Sequence, residues 1–424
     1  MPKLTRQDYK TLALSALGGA LEFYDFIIFV FFAVVIGKLF FPTDIPDWLR
    51  QVQTFGIFAA GYLARPLGGI VMAHFGDLLG RKRMFMLSVF LMAVPTLLIG
   101  LLPTYASIGI WAPLLLLALR MLQGAAIGGE VPGAWVFVSE HVPQNRVGFA
   151  CGTLTAGLTG GILLGSLVAM AVNKIYTPEQ VLDQAWRIPF IVGGVFGLLA
   201  VWLRQWLYET PIFKELQAKQ ALADELPLKK VVREHRAAIA VTMLMTWLLS
   251  AAIVVMILMT PTLIQKLYGI SAATALEASS IATVFLSFGC IIFGVAADRF
   301  GGGRVLIFGS ALLALTSYFL YTQLAISPKN INELYAVCGF FVGMIGVVPS
   351  AAVQSFPAAV RFSGLSFSYN VSYAVFGGLT PVMVSLWLPF DKLAPAHYVV
   401  ALCVIGVGIG LWLIRHPHAR QLSS

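Results

Sequence analysis

Long apolar runs, broken by short polar stretches, recur from one end of this chain to the other. A bilayer core of roughly 30 Å asks for about 20 apolar residues per crossing helix. Polar punctuation divides the chain into twelve such segments: 12–41, 51–76, 84–102, 107–139, 147–172, 186–207, 237–267, 275–298, 303–325, 332–356, 361–388 and 396–415. Backbone groups in lipid must bond within the protein, which leaves helices or a closed barrel. The runs are continuous and not alternating, which rules against a barrel. Of the residues, 59% are apolar and 11% charged, whereas soluble domains are about a quarter charged. The sequence therefore predicts an all-α integral membrane protein. Segments 4, 7 and 11 exceed one crossing, so tilt or protruding ends are expected.

The polar breaks orient the chain. With the N-terminus in the cytoplasm, nineteen of the 28 Lys and Arg fall on the cytoplasmic side, seven on the other, and Arg65 and Arg120 inside the membrane. That bias predicts that both termini are cytoplasmic. The longest polar stretch, 208–236, reads as a cytoplasmic linker, partly an amphipathic helix, between residues 1–207 and 237–424. The basic start, Met1 to Arg6, precedes an apolar segment that carries Glu22 and Asp25 and no small-residue cleavage site, so it reads as a retained first helix. The net charge of +9 is scattered between apolar runs, which argues against a nucleic-acid module. Cys151, Cys290, Cys338 and Cys403 lie far apart and read as buried small hydrophobes. No metal-ligand spacing or nucleotide loop is present, so no metal, cofactor or ATP coupling is expected.

The two halves repeat each other. Gly76-Asp77-Leu78-Leu79-Gly80-Arg81-Lys82 follows the second segment, and Ala297-Asp298-Arg299-Phe300-Gly301-Gly302-Gly303-Arg304 follows the eighth. Glu140 to Arg146 follows the fourth, and Phe356 to Arg361 the tenth. Parallel duplicated halves with a site between them is transporter architecture. These loops resemble the signature of the major facilitator superfamily. More narrowly, the chain resembles its metabolite:proton symporter family of citrate, α-ketoglutarate, shikimate and proline/betaine transporters. The matching stretches are Leu21-Glu22-Phe23-Tyr24-Asp25-Phe26, Ala64-Arg65-Pro66-Leu67-Gly68-Gly69, Ile108 to Pro113, Arg120-Met121-Leu122-Gln123-Gly124 through Glu130, Trp186-Arg187-Ile188-Pro189-Phe190, Glu209-Thr210-Pro211 and Phe376 to Pro381. The resemblance implies twelve transmembrane helices in two six-helix bundles, set in a bacterial inner membrane, with proton-coupled symport of a small organic solute. The chain departs from the family at Gly19, Phe23 and Leu78, and ends soon after the last segment, without the long coiled coil of the osmosensing branch.

A charged side chain in mid-helix costs about 2.5–3.5 kcal/mol even on insertion scales. Glu22, Asp25, Arg65, Arg120 and Glu130 are such residues. At about 1.5 Å per residue, Glu22, Arg65 and Glu130 share a layer about 15–18 Å deep, with Asp25 and Arg120 further in. Glu22 and Asp25 are three apart on one helix face, which must look into a cavity. An arginine nearby favours an ionised carboxylate and a dry cavity the neutral acid, so a rocking motion can load and release a proton. Asp25, Glu22 and Arg120 are the proton-coupling candidates. Arg65, Glu130, Gln123, Trp247, Tyr369, Asn370 and Tyr373 are the substrate or cavity candidates. The alternative is that the charges form fixed ion pairs, Glu130 with Arg65 and Asp25 with Arg120.

Asp77 is expected to reach the start of span 11 near Ser363 and Gly364, and Asp298 the start of span 5, because free N–H groups at a helix start favour an anion. With Arg81, Glu140, Arg146, Arg304 and Arg361 they form the expected cytoplasmic gate. Gly157, Gly161 and Gly165 are expected to pack span 5 closely. The expected partners are the lipid bilayer, a small-molecule substrate and protons, for a monomer. A uniporter or exchanger, or more remotely a membrane-bound sensor or enzyme, are the competing readings. The two intramembrane arginines make a small carboxylate attractive as substrate, but the three acids could equally consume them, which leaves a zwitterion or a neutral solute open.

Overall fold

A computed structural model describes residues 4–218, 227–327 and 329–416. The described residues form twelve long helical rods and no strand. They are α1 (Arg6–Phe31), α2 (Asp47–Leu79), α3 (Arg81–Leu101), α4 (Trp111–Glu140), α5 (Val147–Ile175) and α6 (Arg187–Arg204), then α7 (236–268), α8 (Ala272–Phe300), α9 (Gly302–Ile326), α10 (331–353), α11 (361–387) and α12 (Ala394–Arg415). Nine helices among the described residues are long and apolar enough to cross a membrane, and ten if the bent pair Pro178–Ala185 with Arg187–Leu203 is one span. The other two rods are α2 and the interrupted α11.

The boundaries follow local chemistry. Thr5 caps α1 reciprocally with Asp8: each side chain accepts from the other's backbone N–H, at 3.2 and 2.7 Å. Gly80 and Gly301, at φ 117° and 88°, end α2 and α8 in a conformation that side chains with a Cβ rarely adopt. The repeated loops thus share one backbone device.

Several segments differ from their expected form. The first does not run unbroken over 12–41; it breaks at Phe32 and resumes as a short helix, Ala33–Phe40. The fourth begins at Trp111, after a separate turn at Tyr105–Ile108. The sixth is preceded by a short helix bent by 48° from it. Spans 7 and 11 contain π-helical stretches, Val254–Met259 and Tyr373–Gly377. In span 7 the cause is visible. Pro261 has no N–H for the Ile257 carbonyl, which Ser279 Oγ caps instead at 3.5 Å, and Thr260 Oγ1 bonds the Val255 carbonyl at 2.7 Å.

Helices α1–α6 pack chiefly on one another, as do α7–α12, and α5 with α8 and α2 with α11 join the two sets. The ends of α2, α4, α6, α8 and α10 and the starts of α3, α5, α7, α9 and α11 share one face, here called the linker face. Two short helices, Pro211–Ala218 and Pro227–Glu234, lie in the connection between the sets. The second buries Val231 and packs against the α11 start and α2. Residues 219–226 of the expected linker fall outside the described residues.

Candidate functional site

The centre of the molecule is built on a backbone-to-backbone approach of α2 and α4. A Cβ on Gly124 would stand 1.8 Å from the Gly61 carbonyl oxygen, and one on Gly68 2.0 Å from that of Ala125. Only glycine permits this closeness, and it sets Arg65 of α2 against α4, where a Cβ on Gly128 would stand 2.2 Å from the Arg65 carbonyl oxygen.

Arg65 is 2% exposed. Its guanidinium carbon lies 4.3 Å from the Tyr373 ring centre, 5.4 Å from Tyr369 and 5.6 Å from Tyr62. Tyr62 and Tyr373 stack at 5.8 Å and 7° across the two helix sets, and Trp135 meets Tyr369 edge-on at 5.1 Å. The cation is held by ring faces that come from both sets. It makes no ion pair among the described residues, and its Nε and Nη2 have no hydrogen-bond partner. The fixed pair with Glu130 is therefore not formed. Glu130 accepts a hydrogen bond from Ser88 Oγ of α3 at 2.6 Å, on another side of α4.

Asp25 is fully buried, and neither carboxylate oxygen has a hydrogen-bond partner among the described residues. It occupies a niche on α6 made by two glycines. A Cβ on Gly193 would stand 2.6 Å from its Oδ1, and one on Gly197 2.9 Å from its Oδ2. The motif around Trp186 fixes this helix. Tyr24 OH donates to the Pro189 carbonyl at 2.9 Å, and Arg187 donates to the carbonyls of Gly100 and Leu102 at 2.8 and 2.9 Å, which ties the start of α6 to the end of α3. A fixed Asp25–Arg120 pair is not formed either. Arg120 Nη1 donates to Gln123 Oε1 at 2.9 Å, and its guanidinium lies 4.3 Å from the Phe29 ring centre. Gln123 Nε2 donates to Thr96 Oγ1 at 2.6 Å. The Glu22 side chain lies outside the described residues, as does that of Arg81.

The remaining cavity candidates divide. Tyr369 and Tyr373 face Arg65. Asn370 Nδ2 donates to the Gly128 carbonyl at 2.6 Å and the Ser366 carbonyl at 2.8 Å, so it clasps α11 to α4. Trp247 is engaged within the second set, donating to Tyr398 OH at 3.1 Å and stacking on Phe376 at 4.1 Å. Tyr62 and Trp135 escaped sequence reasoning; the three-residue step from Tyr62 to Arg65 was the available signal.

At the linker face, Asp77 accepts from Ser363 N at 2.9 Å and Ser363 Oγ at 2.7 Å. Asp298 accepts from Gly148 N and Phe149 N at 2.7 and 2.8 Å, and Arg146 stands within electrostatic reach of it. Both acids therefore sit on helix starts of the opposite set. Arg361 Nη1 pairs with Glu140 Oε1 at 3.2 Å, and Thr210 Oγ1 donates to Glu140 Oε2 at 2.7 Å. Arg304 is exposed and joins none of these contacts among the described residues.

The sequence matches the Major Facilitator Superfamily profile over residues 16–381. The chain belongs to the major facilitator superfamily. Its relatives include a putative proline/betaine transporter of Staphylococcus aureus, 32% identical over 98% of this chain and 90% of that protein. A citrate-proton symporter of Klebsiella pneumoniae is 31% identical over 94% and 90%. These relatives agree with the resemblance to the metabolite:proton symporter family. The fold is that of the proton:xylose symporter XylE bound to 6-bromo-6-deoxy-D-glucose, with a TM-score of 0.79 at 16% identity, covering 96% of this chain and 95% of that one. This major facilitator protein is thus a multi-pass membrane transporter of a small solute and not an enzyme.

Proposed function

We propose that the chain is a proton-coupled symporter of a small organic acid, working by alternating access between bundles 1–207 and 237–424 about the linker 208–236. It sits in a bacterial inner membrane with both termini cytoplasmic, so the linker face is the cytoplasmic one. The observation that carries the reading is a buried carboxyl and a buried guanidinium, Asp25 and Arg65, neither paired with an opposite charge among the described residues. A lone ion held out of water costs several kcal/mol, so both await a partner. A proton is the partner small enough for the glycine niche of Asp25. A carboxylate matches the fork of Arg65. The solutes in the relatives' names, proline, betaine and citrate, all carry one.

In this reading Asp25 holds the proton and the substrate carboxylate docks on Arg65, within reach of the tyrosine hydroxyls. Rocking then breaks the contacts of Asp77, Asp298 and Glu140 and opens the cytoplasmic side. Approach of Arg120 to Asp25 in that state stabilises the carboxylate and expels the proton, with Glu22 in support. Separation of Asp25 from Arg120, as here, corresponds to the proton-loaded form.

The test is uptake by proteoliposomes against a panel of organic acids and betaines, with and without an imposed pH gradient. A carboxylate solute should accumulate only when the outside is the more acidic. Accumulation indifferent to pH would leave a uniporter or exchanger instead.

A further inference from the structure

A pocket lies away from Arg65 and Asp25, at the linker face where α1, α3 and the end of α6 meet. It measures about 310 Å³ and is walled by Lys10, Lys82, Trp202, Trp206 and Tyr208. The three aromatic side chains are 52%, 55% and 64% exposed. Aromatic rings of this kind gather where lipid headgroups meet the acyl region. Lys10 Nζ lies 5.7 Å from the Trp206 ring centre, and Lys82 Nζ donates to the Gln205 carbonyl at 3.2 Å. Each ammonium has three protons to donate, so both retain capacity for a ligand.

The acids nearby are committed elsewhere. Glu209 turns to the Lys82 and Thr210 backbone N–H groups, at 3.2 and 2.9 Å, and Asp8 caps Thr5 N at 2.7 Å. Neither lysine forms an ion pair with a described residue. The result is two cations over an open cleft, flanked by rings that suit an ester and acyl environment.

We infer that this pocket holds the phosphate headgroup of an anionic phospholipid from the leaflet at the linker face. The lysines take the phosphate, and Trp202, Trp206 and Tyr208 flank the glycerol and the upper acyl chains. A basic pocket at a helix junction on this side recognises such headgroups through charge. Free phosphate supplies the same charge but nothing for the aromatic walls.

The experiment is native mass spectrometry of the purified protein in neutral detergent. One sample is incubated with phosphatidylglycerol, one with phosphatidylcholine and one with phosphatidylglycerol plus millimolar inorganic phosphate. The protein should retain phosphatidylglycerol in preference to phosphatidylcholine, and phosphate should not displace it. Each lysine near a charged headgroup contributes about fivefold in affinity. Lys10→Gln with Lys82→Gln should therefore weaken phosphatidylglycerol binding at least about tenfold and leave phosphatidylcholine unchanged. Trp206→Ala should weaken it as well. Lys10→Gln alone, at an exposed position, gives the same reading at about fivefold if the double variant does not fold. Undiminished retention by the folded lysine variants overturns the assignment. So does displacement by phosphate, which marks a free-anion site, or indifference to Trp206→Ala.

Discussion

Asp77→Asn isolates the closure of the linker face without requiring a known substrate. The carboxylate accepts from Ser363 N at 2.9 Å and Ser363 Oγ at 2.7 Å, at the first turn of α11. Hydrogen bonds to a charged group contribute about 1.5–3 kcal/mol each, and a charge at a helix start about 0.3–1 kcal/mol more. Asparagine keeps one acceptor oxygen and loses the charge, so the closed state should lose about 2 kcal/mol, or a factor of about 30 in the opening equilibrium. The assay is labelling of a single cysteine placed at Ser366 in a background that lacks the four native cysteines. Ser366 is buried, and its hydroxyl donates to the Gly69 carbonyl at 2.9 Å, so a reagent reaches it only when α11 parts from α2. The labelling rate from the cytoplasmic side should rise about 30-fold, and Ser363→Ala should give a smaller rise. A rate within about twofold of the parent, in folded protein, refutes the claim that this contact holds the face shut.

Other outcomes follow from the same geometry. Gly193→Ala brings a Cβ to 2.6 Å from Asp25 Oδ1, the nearest atom it would meet, so it should displace the carboxyl and lower pH-driven accumulation in proteoliposomes with little loss of exchange; unaltered accumulation would detach Asp25 from its niche. Arg65→Lys keeps the charge and loses the fork, so KM for the transported acid should rise at least about tenfold while an uncharged analogue is unaffected. Reporter fusions after Ser424 and within 215–225 should both read cytoplasmic, and an outward reading at either point defeats the proposed orientation.

The helices were legible because each crossing must be long, apolar and uninterrupted, a demand made residue by residue. The break at Phe32, the 48° bend before α6 and the π-helical turns were not; in span 7 the turn depends on which distant group takes a freed carbonyl, as Ser279 does for Ile257. The docking of Asp77 could be read because an acid after a helix, followed by a glycine turn, seeks N–H donors of a facing helix. The intramembrane charges could be placed by depth alone. Depth gives a layer and leaves direction open. Glu130 and Arg65 were placed in one layer, yet one turns to Ser88 and the other to tyrosines of α11. Trp135 carried no signal of its own in a chain that is 12% aromatic, and Tyr62 only its three-residue step from Arg65.

The central claim is that Asp25 carries the coupled proton. Asp25→Asn fixes the neutral form of that side chain, and the measurement is one preparation of proteoliposomes assayed two ways. Under a pH gradient alone, the variant should fail to concentrate the acid that the parent accumulates. With equal pools on both sides, it should still exchange labelled for unlabelled substrate, which a misfolded protein could not do. If Asp25→Asn concentrates substrate against its gradient with only the pH difference to drive it, the proton travels elsewhere and the account is wrong.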